Sequence, residues 1–249
     1  ALISWATSIG LSAVESSVLR RRVTAGESYV LVVPQELPRW NKVNDIVQVG
    51  LVRRRAAEVA LFTGTTPPAH PVAKRLEVPY YAQLDSTTDQ GRRMCFSSSC
   101  AMLLAYMRPG LLKGPNGDDQ YLARVRQFGD TTSNLAQVRA LESYGLQSRF
   151  IKSADFELVE RQIDAGIPVP CGYLHRGTVS SPDGGGHWLI VVGYDDTHLL
   201  VHDPFGEADL VTGQTLDRPG RFVRYSRKNF GPRWTVEGPN TGYAILAQR

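Results

Sequence analysis

The chain has 249 residues, 42% of them apolar, and a formal net charge of +4; its isoelectric point is near 9.0. This length suits one large domain or a medium domain with a small one, and the apolar content argues against extensive disorder. No apolar run approaches the ~20 residues that span a bilayer, and residues 1–14 lack the basic start of a signal peptide. The cationic residues are scattered apart from two short arginine runs, so we expect neither a membrane nor a nucleic acid as partner.

A proline-rich segment, residues 65–71, is the best candidate for a domain boundary, because clustered prolines disfavour helix and central strand. Before it, Ser28–Val33, Ile46–Val52 and Ala57–Phe62 are dense in β-forming or apolar residues. We therefore predict a small β-barrel-like module with its linker at residues 1–70, and a second domain at residues 71–249.

The second domain is predicted to be α+β, because helical patterns come first and β-branched strand patterns follow. A short strand over Leu76–Tyr81 leads through a polar loop to a helix that begins near Cys95 and ends at Pro109-Gly110. Further helices are predicted at residues 118–128, 135–144 and 154–165, and strands at residues 168–175, 187–194, 199–203 and 241–247.

Three cysteines are too few for a disulfide framework, and their spacing does not fit a zinc site. Cys95 lies where a polar loop meets the first turn of a helix, and such a position favours the negative charge of a thiolate. Cys100 falls on the apolar face of the same helix, and Cys171 falls within a predicted strand. Cys95 is therefore the candidate nucleophile, and the other two are predicted to be core residues.

A cysteine nucleophile requires a base, and His187 is the best candidate among five histidines. It follows three glycines and begins an apolar strand, so a substrate could approach it closely. A turn near Asp195–Asp196 would fold the next strand back and bring Asp203 within about a residue or two of His187, a cross-strand separation of ~5–8 Å. His202, beside Asp203, would point to the opposite face.

Spacing alone leaves two interpretations open. In one, Cys95, His187 and Asp203 form a nucleophile, a base and an orienting acid. In the other, a core histidine forms a salt bridge with an aspartate, and the cysteine is an unrelated buried residue.

Three stretches favour the first interpretation: VPYYAQLDSTTDQGRRMCFSSSCAMLLAYM (78–107), GGGHWLIVVGYDD (184–196) and VHDPFGE (201–207). Together they resemble the papain-like family of bacteriocin-processing cysteine peptidases with its phage and bacterial cell-wall relatives. The resemblance extends over about residues 78–249, and RWTVEGPNTGYAIL (233–246) is similar to a C-terminal segment of phage and cyanobacterial members.

The resemblance implies a papain-like fold and a peptidase that needs no metal or other cofactor, with Cys95 as nucleophile, His187 as base and Asp203 as orienting acid. It also implies a glutamine whose amide helps to form the oxyanion hole. Gln83 matches that position best, and Gln90 is the competitor. Many relatives have Cys-Gly at the nucleophile, whereas this chain has Cys95-Phe96, a side chain that affects how a substrate would approach.

The function expected first is a peptidoglycan-directed cysteine endopeptidase of the phage lysin type, acting at the host cell envelope, or a secreted or virion-associated enzyme. The N-terminal module, by length and position, resembles the Src-homology-3-like barrels that bind wall glycans. A leader-peptide or polyprotein processing peptidase is the second possibility. The third is a non-enzymatic virion or wall-binding protein that has kept the fold.

Overall fold

A computed structural model describes residues 2–43, 46–47, 49–65 and 74–248. The chain forms two compact units, Ala1–Pro71 and Val72–Arg249. The predicted linker at residues 65–71 lies outside the described residues except for Thr65.

The first unit is built almost entirely of helices. Trp5 is its central side chain; it is 2% exposed and packs edge-on against Trp40, with ring centroids 5.8 Å apart. A buried ion pair between Arg55 and Glu58, with Nη1 and Oε2 2.8 Å apart, adds a charged contact within the last helix. The elements are α1 (Leu2–Ile9), α2 (Leu11–Ser16), α3 (Val18–Thr24), α4 (Tyr29–Glu36), a 3₁₀ turn (Leu37–Arg39), β1 (Lys42–Val43), β2 (Ile46–Val47) and α5 (Val49–Thr63).

The predicted β-barrel-like module is therefore wrong for the described residues before position 66. The valine-rich segment at Ser28–Val33 becomes α4, because Val32 and Val33 are fully buried in a cluster with Trp5 and Leu19. Tertiary packing here overrides the β-propensity of the segment. Of the two other predicted strands, Ile46–Val52 and Ala57–Phe62, residues 46–47 form the short β2, while residues 49–52 and 57–62 belong to α5. The interpretation of this module as an Src-homology-3-like barrel is therefore wrong for the same described residues.

The second unit is an α+β domain around an antiparallel sheet. The sheet has the strand order β12-β9-β8-β5-β13-β4, and β3 pairs with part of β8. Strand β8 is buried along nearly all of its length, so it forms the centre of the core. The strands are β3 (Lys74–Arg75), β4 (Ser148–Ala154), β5 (Val169–Tyr173), β6 (Arg176–Thr178), β7 (Ser181–Asp183), β8 (His187–Tyr194), β9 (His198–His202), β10 (Ala208–Asp209), β11 (Gln214–Thr215), β12 (Val223–Ser226) and β13 (Gly242–Ala247).

Helix α6 contributes the largest buried helical surface, because ten of its thirteen residues are buried. Its predicted start at Cys95 is confirmed, and the predicted helices near residues 118–128, 135–144 and 154–165 are present with shifted ends. The predicted strand Leu76–Tyr81 is absent, since strand β3 ends at Arg75. The helices are α6 (Cys95–Met107), α7 (Gly117–Val125), α8 (Asn134–Ser143), α9 (Phe156–Asp164) and α10 (Arg227–Trp234), with a 3₁₀ turn at Gln83–Asp85.

Within the described ranges, the structure contains no helix that combines the length and apolar character needed to cross a bilayer.

Candidate active site

Cys95 is the first residue of α6 and is partly exposed. A helix start leaves backbone N–H groups without intrahelical partners, and these groups favour a negative charge beside them. The other cysteines, Cys100 and Cys171, are completely buried, and burial raises the pKa of both thiols above their ordinary range. Cys95 is therefore the thiol that a substrate can reach.

His187 begins β8 and is 7% exposed. The β8–β9 pairing places His202 opposite Ile190, with a register shift between Val191 and Gly193. Asp203 follows the last residue of β9 and so lies toward the His187 end of β8. The two side chains meet, with His187 Nε2 2.6 Å from Asp203 Oδ1.

The Asp203 carboxylate is 1% exposed and is fully occupied by donors. Its Oδ2 accepts hydrogen bonds from the hydroxyls of Tyr173 and Tyr225, each at 3.1 Å. Its Oδ1 accepts from the backbone N–H of Phe205 at 3.1 Å as well as from His187. These donors satisfy both carboxylate oxygens and hold the carboxylate in place beside the imidazole.

The backbone around Asp203 is packed as closely as its side chain. Its N–H donates to Gly220 O at 2.8 Å, and its carbonyl accepts from the Tyr80 hydroxyl at 3.1 Å. A Cβ atom at Gly220 would lie 1.9 Å from Asp203 O, so only glycine fits there. The carboxylate is therefore fixed in position before any substrate arrives.

The pKa of His187 is raised from 6.5 to about 10. Burial alone would lower it, but the charges of Asp203 and Cys95, and hydrogen bonds to both, more than offset the burial. This raised pKa favours the imidazolium form of His187. Because Nε2 faces Asp203, Nδ1 is the ring nitrogen available to Cys95.

Cys95, His187 and Asp203 all line one cleft of about 580 Å³. It is lined by the start of α6 and by the end of the sheet at which β8 begins, and Gly185 and Gly186 form part of its wall. The β6–β7 hairpin beside the cleft is tethered by a hydrogen bond from Val179 N to Val211 O at 2.9 Å.

Gln83 is completely buried just upstream of the nucleophile loop. Its Nε2 donates to Gly91 O at 2.7 Å, and its Oε1 has no hydrogen-bond partner. Gln90 instead accepts a hydrogen bond from Arg93 through Oε1 at 3.1 Å. Neither glutamine lines the cleft, so the observed role of Gln83 is to hold the loop that leads to Cys95.

Phe96 belongs to the hydrophobic core and also lines the cleft beside Cys95. It is 1% exposed, and its ring stacks on Trp188 with centroids 3.6 Å apart and an interplanar angle of 3°. Gly172 makes room for this stack, since a Cβ atom there would lie 2.8 Å from the Trp188 ring. Phe96, which stands where many relatives have glycine, thus packs against Trp188, the residue that follows His187.

The remaining histidines do not reach the sulfur in this way. His202 is buried, and burial lowers its pKa to about 4; its Nε2 bonds to Val78 O at 3.0 Å. His175 lines the cleft with its ring centroid 5.6 Å from that of His187, and burial lowers its pKa to about 4. His198 pairs with Asp195 at a turn, and His70 lies outside the described residues.

Three further residues support the site but are not predicted from the sequence: Tyr173, Tyr225 and Arg233. Tyr173 lies opposite His187 in the β5–β8 register, and Tyr225 comes from β12 at the end of the sheet. Arg233 is completely buried and donates to the carbonyl of Leu210 and to three carbonyls of the segment that leads from β5 into the hairpin. Their residue types gave no local signal, because the partners come from distant stretches of chain. The described residues contain no cluster of His, Cys, Asp or Glu suited to hold a metal ion.

Comparison with known proteins gives a separate result for each unit. The model of the Peptidase_C39 like family matches residues 75–235, and the model of phage lysozyme matches residues 1–58. An endolysin of Bacillus phage PZA is 45% identical over 67 residues, which are 27% of this chain and 25% of the endolysin. The chain thus spans about a quarter of the length of that relative.

Among solved structures, a C39-like peptidase from Bacillus anthracis is 17% identical with a TM-score of 0.48; the match covers 71% of this chain and 98% of that protein. The peptidase domain of Streptococcus ComA is 19% identical with a TM-score of 0.42, and the match covers 63% of this chain and 91% of that domain.

Proposed function

The chain belongs to the Peptidase_C39 like family and is a cysteine peptidase, and we propose that it cuts peptide bonds in bacterial peptidoglycan with Cys95 as nucleophile. The observation that carries the catalytic assignment is the 2.6 Å contact between His187 and Asp203 in the cleft that also contains Cys95. The assignment to the cell wall is supported by the likeness of residues 1–58 to phage lysozyme.

The first chemical step is acylation of the enzyme. The Cys95 thiolate, paired with the His187 imidazolium, attacks the carbonyl carbon of the scissile bond, and a C–S bond forms. The resulting oxyanion accepts a hydrogen bond from the Cys95 backbone N–H at the start of α6. The imidazolium then gives its proton to the leaving amine, the C–N bond breaks, and a thioester remains.

Deacylation reverses these roles. The now neutral His187 takes a proton from water, and the hydroxide attacks the thioester carbonyl. The C–S bond breaks, the carboxylic acid leaves, and the thiolate–imidazolium pair returns. Asp203 keeps Nε2 protonated throughout and so reserves Nδ1 for proton transfer.

Gln83 is the proposed second donor to the oxyanion. Its Nε2 carries two hydrogens, of which Gly91 O accepts one. In the proposed complex the other is donated to the substrate oxyanion, although Gln83 is completely buried and does not line the cleft of the free enzyme. Donors of this kind contribute roughly 10²–10³-fold to kcat in other hydrolases.

Recognition of the wall has two supports besides the chemistry. A net charge of +4 favours adsorption to an anionic surface. A lysozyme-like unit contacts glycan, so it would raise the local concentration of the attached peptides around the cleft of the second unit.

The test is digestion of purified Bacillus peptidoglycan by the full chain, followed by mass spectrometry of the products. New amino termini report peptide-bond cleavage, and new reducing sugars report glycan cleavage. We expect new amino termini from the wild type and none from Cys95→Ala. Cys100→Ala is the matched control, because Cys100 lies in the same helix but is completely buried away from the cleft.

Two results would contradict the proposal. One is a wall that gains only reducing sugars, which would place all activity outside the cysteine site. The other is an unchanged yield of amino termini in Cys95→Ala, which would remove the cysteine from the reaction.

A further inference from the structure

The cleft around Cys95 carries an excess of positive charge. Three arginines line it: Arg92, Arg93 and Arg176. Among the described residues that line it, Asp203 is the only carboxylate, and it is 1% exposed and bonded to His187. The charge of Asp203 is therefore already compensated by His187 within the protein.

The three arginines differ in how their charge is compensated. Arg93 forms a two-pronged ion pair with Asp130, with N–O distances of 2.9 and 3.0 Å. Arg92 and Arg176 are both exposed, and neither forms an ion pair with the described residues, although Asp183 is registered opposite Arg176 in the β6–β7 hairpin. Two guanidinium groups therefore remain available to a ligand.

Their positions relate them directly to the reacting groups. Arg92 lies three residues before Cys95, in the loop that leads into α6. Arg176 lies three residues after Tyr173, which is registered opposite His187, and it begins the β6–β7 hairpin. One guanidinium comes from the segment that carries Cys95, and the other from the hairpin that follows the strand paired with β8.

We propose that Arg92 and Arg176 bind a carboxylate on the substrate residue next to the scissile bond, so that this enzyme selects acidic peptides. Guanidinium groups match the planar carboxylate with two parallel N–H···O bonds, which gives geometric selectivity as well as charge. This inference rests on the proposed function, because it assigns the substrate class of that same cleft. An acidic peptide would enter with its carbonyl over Cys95 and its carboxylate toward the arginines.

The test uses two alkylating probes that differ by a carboxylate. Iodoacetate is anionic and iodoacetamide is neutral, and both form a C–S bond at a thiolate with loss of iodide. The rate of Cys95 alkylation by each probe is measured by mass spectrometry of the Cys95 peptide. The ratio of the two rates is divided by the same ratio for free cysteine.

Wild-type protein should favour iodoacetate, and Arg92→Gln and Arg176→Gln should each lower the normalised ratio by about fivefold or less at low salt. The difference in this ratio between the wild type and the two variants should become smaller as ionic strength rises. The His187 imidazolium also attracts the anion, but it is present in every variant. Arg161→Gln on α9 is the matched control, because it removes one exposed charge away from the cleft and should leave the ratio unchanged.

A ratio that is the same in Arg92→Gln, Arg176→Gln and the wild type would overturn the proposal. A ratio that falls equally in Arg161→Gln would also overturn it, because net charge and not a local site would then be responsible. These outcomes are separate from the proposed function, whose failure would appear as Cys95 reacting with both probes no faster than free cysteine.

A substrate experiment extends the test to peptides. Solubilised wall peptides are mixed with the same peptides after their carboxylates have been amidated, and the enzyme consumes both in one reaction. We expect the native peptides to disappear faster with wild-type enzyme, and this preference to decline in Arg92→Gln and Arg176→Gln. Equal consumption by the wild type would exclude an acidic substrate.

Discussion

His187 Nε2 lies 2.6 Å from Asp203 Oδ1, and this contact decides which ring nitrogen is left for Cys95, the proposed nucleophile. With Nε2 engaged by the carboxylate, Nδ1 is left for Cys95. The side of the ring that transfers the proton is thus set by an aspartate that the β8–β9 hairpin brings back toward the start of β8.

Asp203→Asn is expected to reduce kcat/KM by roughly 10²–10⁴-fold, because an amide lacks the negative charge that stabilises the imidazolium of His187. Since the charge of Asp203 raises the pKa of His187, the alkaline limb of the pH–rate profile should also move to lower pH. The measurement is kcat/KM against pH for both proteins. A profile with an unmoved alkaline limb would show that Asp203 does not control the imidazole.

The pH dependence of stability follows from the same pKa. The pKa of His187 is about 10 in the folded chain, above its ordinary value of 6.5. The protonated form is therefore stabilised by folding, and its contribution is fully present below about pH 6.5 and lost as the pH rises through about 10. Thermal unfolding between pH 6 and 11 should show Tm falling toward the alkaline end. In His187→Gln this part of the fall should be smaller.

Gln83→Ala is expected to lower kcat by roughly 10²–10³-fold if its second amide hydrogen meets the oxyanion, with little change in KM. Gln90→Ala is the matched control, because Gln90 lies nearer to Cys95 in sequence but does not line the cleft and already accepts a hydrogen bond from Arg93. Equal effects of the two substitutions, or a loss of Gln83→Ala activity that follows its loss of folding, would assign Gln83 to the loop alone.

Phe96→Ala should destabilise the second unit by about 3–5 kcal/mol, which is the usual cost of removing a buried phenylalanine. Loss of the stack on Trp188 adds to that cost because the rings are parallel and 3.6 Å apart. Denaturant unfolding measures the change. A loss below about 1 kcal/mol would mean that the ring is not packed as described.

The sequence carries enough information for the central hairpin of the site, because that information is local. The apolar run at His187–Tyr194 forms β8 over the same residues, and the turn that follows returns the chain to Asp203. Helix α6 likewise begins at Cys95, where the polar loop ends. A pattern read within about twenty residues specifies each of these elements.

Other features depend on contacts between distant segments. Tyr173 and Tyr225 reach Asp203 because β5 and β12 flank the β8–β9 hairpin on its two sides. No local pattern specifies that strand order. In the first unit the strand prediction around Val32 is wrong for the same reason. That segment is rich in β-forming residues, but it is helical in the structure, where Val32 packs in a cluster with Trp5.

Arg233 is a buried cation whose guanidinium binds backbone carbonyls. It donates to Leu210 O at 2.7 Å, to Arg176 O at 2.9 Å and to Gly177 O at 2.7 Å, and also to Leu174 O at 3.1 Å. Arg233→Met keeps most of the side-chain volume but leaves these carbonyls without their donor. Because each unsatisfied buried group costs about 1–3 kcal/mol, we expect the variant to lose at least about 3 kcal/mol of unfolding free energy.

In Arg233→Met the loss of stability should be concentrated in the segments whose carbonyls accept hydrogen bonds from Arg233. Hydrogen–deuterium exchange should increase at residues 174–179 more than in the sheet strands, since Arg233 joins that segment to the 210 loop. Because Arg176 begins the same hairpin and lines the cleft, the preference of Cys95 for iodoacetate over iodoacetamide should decline in parallel. Lys228→Met, on the same helix, is the control for loss of a cation. If exchange rises uniformly across the second unit, Arg233 supports the fold as a whole and not the wall of the cleft.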